Sequence, residues 1–147
     1  MAGLRPLGRR RCLELLASVP VGRVVFTMRA LPAIRPVNHL LDGDTIVIRS
    51  NLGTGLASTA TVDGSVVVAY EADVIDGARG SGWAVVVTGT ARLVLDPDRV
   101  ARYERDLHPW VDAGLNCVIG IDCDLVSGYE LASDPRMAEV PRKGNAR

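Results

Sequence analysis

The sequence predicts a mainly β protein, an antiparallel barrel with helices at its periphery, and three observations carry that reading. About six or seven short runs have the alternation or β-rich character of strands and are separated by turn-forming residues. Helical patterns occur only near the beginning, after the third strand and before the last one. The regular strand-helix-strand alternation that a parallel sheet needs is missing. The chain has 147 residues, a length suited to one domain over 1–147, with the barrel from about 19 to 131 and a polar, basic tail over 135–147.

Composition narrows the class further. Hydrophobic residues make up 48%, charged residues 23%, and the formal net charge is zero, which fits a soluble globular chain. That balance argues against sequence-independent nucleic-acid binding, which needs a basic surface. Lys143 is the only lysine among the 17 basic residues, so neither a core Schiff-base lysine nor a phosphate-loop lysine is expected. Cys12, Cys117 and Cys123 contain no C-x-x-C pair and read as reduced structural thiols of a cytoplasmic protein. No run approaches a membrane span, and the short apolar stretch after Arg9-Arg10-Arg11 lacks the length and cleavage pattern of a signal peptide.

In chain order, Arg9 to Ser18 is predicted to be a helix, with Cys12, Leu15, Leu16 and Val19 at helical spacing and Pro20 ending it. Val21–Met28 alternates, with Val24, Phe26 and Met28 on one face. After a turn at Arg29-Ala30-Leu31-Pro32, the next strand places Arg35, Val37, His39 and Leu41 on one face and Ile34, Pro36, Asn38 and Leu40 on the other. Pro36 removes a ladder donor, so an edge, bulge or free side is expected there. His39 reads from local pattern as a surface histidine. A turn at Asp42-Gly43-Asp44 leads to Thr45–Ser50, a hairpin signal.

That strand ends in a polar corner, Arg49-Ser50-Asn51, before a helix predicted from Leu52 to about Thr61. The first N–H groups of a helix lack internal partners and sit at the positive end of its dipole. Arg49, Ser50 and Thr54 are therefore candidate phosphate ligands, and an ordinary strand-to-helix turn with a solvated arginine is the plainer alternative. Ser65–Tyr70 is an apolar strand whose end carries Glu71 and Asp73. This pair suits acid-base or metal chemistry, or a solvated strand end, and no His or Cys stands nearby to complete a metal set. A polar loop follows over Asp76–Gly82.

Trp83–Leu95 is the longest strand candidate, with Gly89 marking a bend or bulge. Asp96-Pro97 has the order of an N-cap and first helical residue, and Val100, Tyr103 and Leu107 form that helix's apolar stripe. Asn116–Asp124 and Val126–Leu131 supply a final strand or hairpin. The chain contains no G-x-G-x-x-G, phosphate-binding P-loop, H-E-x-x-H or G-x-S-x-G motif.

Four blocks in register, GRVVF, LPAIRPVNHLLDGDTIVIRSNLGTGLAS, VVAYEAD and GWAVVVTGTARLV, resemble the pyridoxamine 5′-phosphate oxidase-like FMN-binding split-barrel family. The resemblance covers about Leu13 to Leu131. It implies a six-stranded antiparallel split β-barrel that forms a homodimer with a flavin in each of two clefts between subunits. The family's phosphate corner falls on Arg49, Ser50 and Thr54, its ring-facing strand on Arg35, Pro36, Val37, Asn38 and His39, and a cleft-edge tryptophan on Trp83. Where many relatives carry Arg or Lys just after the Thr54 position, this chain has Gly55 and Leu56. The arginine-bearing C-terminal motif that holds the vitamin B6 substrate is not evident in VSGYELASDP.

The function this implies is an FMN-dependent oxidoreductase acting on a small-molecule substrate other than the vitamin B6 one. A deazaflavin-dependent reductase and a non-catalytic flavin- or haem-binding carrier or scaffold are the alternatives. No catalytic side chain and no metal ligand is assigned, and neither nucleic acid nor membrane is an expected partner.

Overall fold

The computed structural model describes residues 3–50, 64–108 and 117–131. The predicted helix from Leu52, Thr54, the Gly55-Leu56 pair and the tail over 135–147 all lie outside the described residues. Eight strands and two helices follow one another: β1 (Leu4–Pro6), α1 (Arg9–Ala17), β2 (Val21–Met28), β3 (Leu31–Asp42), β4 (Thr45–Ser50), β5 (Ser65–Asp76), β6 (Ser81–Leu93), α2 (Pro97–Asp106), β7 (Cys117–Asp122) and β8 (Leu125–Leu131). Every pairing is antiparallel.

Six strands close into a ring in the order β6-β5-β2-β3-β4-β7 and back to β6. Closure works because β6 is long enough to serve two partners along one edge. Its first half, Gly82–Thr88, pairs with β8, and its last residues, Ala91–Leu93, pair with β7. Gly89 stands where the edge changes hands, and a Cβ there would run into the Asp122 backbone carbonyl. The bend expected at this glycine is thus a crossing point that no larger residue fits. The final strands do not form a hairpin with each other, because both β7 and β8 use β6 as their partner. The short β1 adds to the far edge of β8, an element too brief to show any period in the sequence.

Alternation sets the two faces of the wall. Val24, Ile46, Ile48, Val68, Tyr70, Val85, Val87, Ile119 and Ile121 point inward and form the main core, joined by Cys12 and Leu16 from α1. Apolar β-branched residues at every second position are what a barrel interior of this size needs. A second, smaller core lies on the outside, where Tyr103 and Leu107 of the α2 segment pack on Val47 and Val118. The Asp96 side chain caps α2 by accepting from the Asp98 N–H at 3.0 Å, as the Asp-Pro order predicts. At α1 the three leading arginines are tolerated because Arg10 and Arg11 each pair with Glu14 at 3.4 Å and Arg9 reaches Asp44 at 3.8 Å.

Two turns differ from their sequence reading. The β2–β3 connection is the two-residue loop Arg29-Ala30, with Leu31 and Pro32 already in the strand, and both loop residues take positive φ (52° and 62°). A two-residue hairpin demands that backbone twist whichever residues occupy it. The polar stretch after β5 is a short hairpin loop, since Asp76 pairs with Ser81 and its Oδ1 accepts from the Ala78 and Arg79 N–H groups at 3.1 Å.

Candidate functional site

The candidate residues divide by face. Arg35, Val37 and His39 on β3 and Ser50 on β4 belong to the inner side of the wall, whereas Pro36, Asn38 and Arg49 belong to the outer side. The register places His39 opposite Ile48 of the main core, which makes their neighbours Asn38 and Arg49 adjacent on the outer face. β3 pairs with β4 only over His39–Asp42, although β2 flanks it from Leu31 to Asn38. Pro36 therefore sits where the β4-side edge of β3 has no ladder partner among the described residues, the free side its missing N–H predicts.

Asn38 and Arg49 meet at the end of α2. Arg49 Nη1 donates to the Leu107 carbonyl at 2.9 Å and more weakly to that of Glu104 at 3.4 Å. Asn38 Nδ2 donates to the His108 carbonyl at 2.6 Å. The last carbonyls of a helix lack internal donor partners and carry the negative end of its dipole, so a guanidinium and an amide are fitting caps. This attachment joins residues 58 apart in sequence and leaves no local pattern by which it could be read. The consequence for Arg49 is a fixed guanidinium plane. Its Nε is buried and has no hydrogen-bond partner among the described residues. A buried N–H of this kind calls for an acceptor, and an anion at the β4 corner would supply one. The donor set fits a phosphate oxygen.

The inner residues are engaged elsewhere. Arg35 stacks over Phe26 at 5.9 Å from the ring centroid. His39 is not at the surface, contrary to its local reading, but is 6% exposed. Its Nε2 lies 2.9 Å from the Leu16 carbonyl and its Nδ1 2.5 Å from the Tyr70 hydroxyl. A carbonyl only accepts, so Nε2 carries the proton and Nδ1 accepts from Tyr70. Burial holds the imidazole below its ordinary pKa and pushes the Tyr70 phenol well above its own. Trp83 is partly buried against the main core, on β6. In the six-stranded ring β6 and β3 face each other across the barrel, three positions apart in either direction. One chain therefore does not bring Trp83 to the outer face of Pro36, Asn38 and Arg49.

The carboxylates Glu71 and Asp73 prove to be central in β5 rather than at a strand end, because β5 runs on to Asp76. Both project outward, and Arg23 of β2 reaches them at 3.5 Å and 3.9 Å. Partial burial, then the hydrogen bond and charge of Asp73, push the Glu71 carboxyl up to about 7 against the pull of Arg23. The cysteines are free. Burial raises the thiol pKa of Cys12 and pushes that of Cys123 up to about 11, which makes both poor nucleophiles at neutral pH. No helix among the described residues is long and apolar enough to cross a membrane.

The site thus sits on an antiparallel six-stranded barrel with a polar corner at the end of β4, and comparison with known sequences gives the family. Residues 8–129 match the pyridoxamine 5′-phosphate oxidase family model, and the chain belongs to that family. It is 49% identical over 132 residues to the uncharacterized protein Rv0080 of Mycobacterium tuberculosis, covering 88% of this chain and 87% of the relative. A Corynebacterium glutamicum structure provisionally assigned as a pyridoxamine 5′-phosphate oxidase is 32% identical with a TM-score of 0.74, covering 87% of this chain and 98% of that one. The structure of a FAD-binding protein from Mycobacterium smegmatis is 31% identical with a TM-score of 0.66, covering 86% and 96%.

Proposed function

We propose that this protein is a flavin-dependent oxidoreductase that works as a homodimer, binds FMN against the outer face of β3 and β4, and acts on a small-molecule substrate. The observation that carries the reading is the buried Nε of Arg49, which has no hydrogen-bond partner among the described residues, at the strand end where the family resemblance puts the phosphate. The similarity to a FAD-binding protein from Mycobacterium smegmatis supports a flavin as the cofactor. Mass spectrometry of the released cofactor separates FMN from FAD and from a deazaflavin.

When bound, the flavin supplies the hydride chemistry. The chain's own residues bind and orient. Arg49 anchors the phosphate with a guanidinium already held by the α2 carbonyls, and so little side-chain freedom is lost on binding. Thr54 adds a hydroxyl donor, while Ser50, whose side chain belongs to the inner side, contributes to the corner through its strand-end backbone. Pro36, Val37 and Asn38 form the strand beside the ring, where proline keeps the ladder open. The cleft-edge place that the resemblance gives Trp83 would, in this reading, be filled by the partner subunit. Haem ligation by His39 is disfavoured, because both ring nitrogens are engaged inside the core, and iron would have to displace either the Leu16 carbonyl or the Tyr70 hydroxyl.

The test is a paired titration. Arg49→Ala is expected to weaken FMN binding by about 1.5–3 kcal/mol, the scale of a hydrogen bond to a charged group, and to change riboflavin binding much less. Equal losses for the two ligands would place the phosphate elsewhere. Unaltered FMN affinity would remove Arg49 from the site.

A further inference from the structure

Two strips of side chains run along α1. Cys12 and Leu16 are fully buried in the main core. Arg9, Leu13 and Ala17 follow on the next side of the helix, with Arg10 and Glu14 beyond them. This second strip and Leu41 of β3 line an open groove of about 570 Å³, a volume in the range of small-molecule sites. The floor is apolar, and two of its three residues, Leu13 and Leu41, also pack against the main core. Leu41 belongs to the inner side of β3, so the groove is separate from the outer face of Pro36, Asn38 and Arg49. Its charge is unbalanced. Glu14 receives both Arg10 and Arg11 at 3.4 Å, and Arg9 has one ion-pair partner among the described residues, Asp44 at 3.8 Å. Three cations in the first turn of α1, with no acidic residue and no side-chain cap there, also oppose the helix dipole. Such a local conflict is kept where function uses it.

We propose that this groove is a binding site for a small aliphatic carboxylate, with the chain lying on Leu13, Ala17 and Leu41 and the carboxylate taken by Arg9 and Arg10. The arginines stand at one end of the groove, and Ala17 lies about 10 Å further along the helix axis. A ligand that fits is therefore elongated and carries its charge at one end. A guanidinium matches a carboxylate in shape as well as charge. Arg10 reaches Glu14 through Nε, and its side chain is 95% exposed, so it can turn to the ligand while Arg11 keeps Glu14 balanced. Neither the flavin nor a second copy of the chain enters this site.

The test is a titration of the full chain with octanoate, followed by amide NMR. Saturable shifts are expected at Leu13, Ala17 and Leu41. Octanol and octylamine, which keep the chain and lose the carboxylate, should bind more weakly. Arg9→Gln/Arg10→Gln is expected to weaken octanoate about tenfold, the combined effect of two exposed charge contacts, and to leave octanol unchanged. Ala17→Phe, which fills the floor and keeps both arginines, should abolish the shifts at Leu13 and Leu41. It serves as the second variant if the double substitution does not fold. Shifts that do not saturate, or that centre elsewhere on the barrel, would overturn the proposal. So would equal affinity for octanoate and octanol, or octanoate binding that both variants leave intact.

Discussion

His39 owes its position to a residue with no side chain. β2 lies between β3 and β5, and a Cβ on Gly22 would come within 2.5–2.6 Å of the Tyr70 ring and hydroxyl. Glycine leaves the space through which Tyr70 reaches across β2 to His39, whose far nitrogen holds the Leu16 carbonyl at the end of α1. Burial lowers the folded-state pKa of His39, so the unfolded chain takes up its proton first as pH falls. The stability contributed by the neutral imidazole is fully present above about pH 6.5 and is lost below it, by at most about 1.4 kcal/mol per pH unit. Glu71 has the opposite sign. Its folded pKa is raised, so its contribution is present below the ordinary glutamate range and is lost as pH rises through about 7. Urea denaturation of Glu71→Gln between about pH 5 and 7 is therefore expected to show a rising stability that Glu71→Gln/His39→Gln lacks. Identical slopes would mean that the imidazole is not the group titrating.

At the scale of the element, α2 is fastened at both ends by different chemistry. Its start is capped locally by Asp96, whose loss to alanine typically costs about 1 kcal/mol. Its body is latched to the β3–β4 hairpin by Tyr103, whose hydroxyl donates to Asp42 Oδ2 at 2.5 Å while Arg102 binds the same oxygen at 2.9 Å. Its end is held by Arg49 and Asn38. The latch and the candidate phosphate anchor thus share one helix. Tyr103→Phe keeps the buried ring and removes the donor, with an expected loss of about 1 kcal/mol by urea denaturation. It should also weaken FMN binding, though less than Arg49→Ala, because the guanidinium is still capped by backbone carbonyls. An unchanged affinity would show that α2 does not set the geometry of the corner.

At the scale of the whole molecule, the outer surface of β1, β8 and β6 is apolar in a way that one chain leaves open. Leu4 is 66% exposed, Leu125 70% and Tyr129 48%, and the register brings Tyr129 beside Ala84 and Leu131 beside Leu4. Contiguous exposed apolar surface of this kind marks an interaction face. The proposed homodimer would cover it. Light scattering at micromolar concentration is expected to give twice the chain mass for the wild type and the single chain mass for Leu125→Glu/Tyr129→Glu. A wild-type monomer would refute the proposal.

Much of the architecture was determined by the sequence alone, because it rests on interactions between near neighbours. The period of two along Val21–Met28 and through Arg35–Leu41, the Asp96-Pro97 cap, the α1 stripe and the bend at Gly89 are all local signals. The family resemblance likewise came from blocks in chain order. Tertiary structure alone decided what those residues touch. It took His39 from an expected surface place to the core, since only the folded barrel sets Gly22 between β3 and Tyr70. It moved Glu71 and Asp73 from a strand end to mid-strand beside Arg23, because strand length is fixed by the partner strand rather than by polarity. It tied Arg49 to carbonyls of α2 that lie 55 and 58 residues away. Contacts at such separation are chosen by barrel closure, in which one long strand serves two partners, and no short-range pattern encodes them.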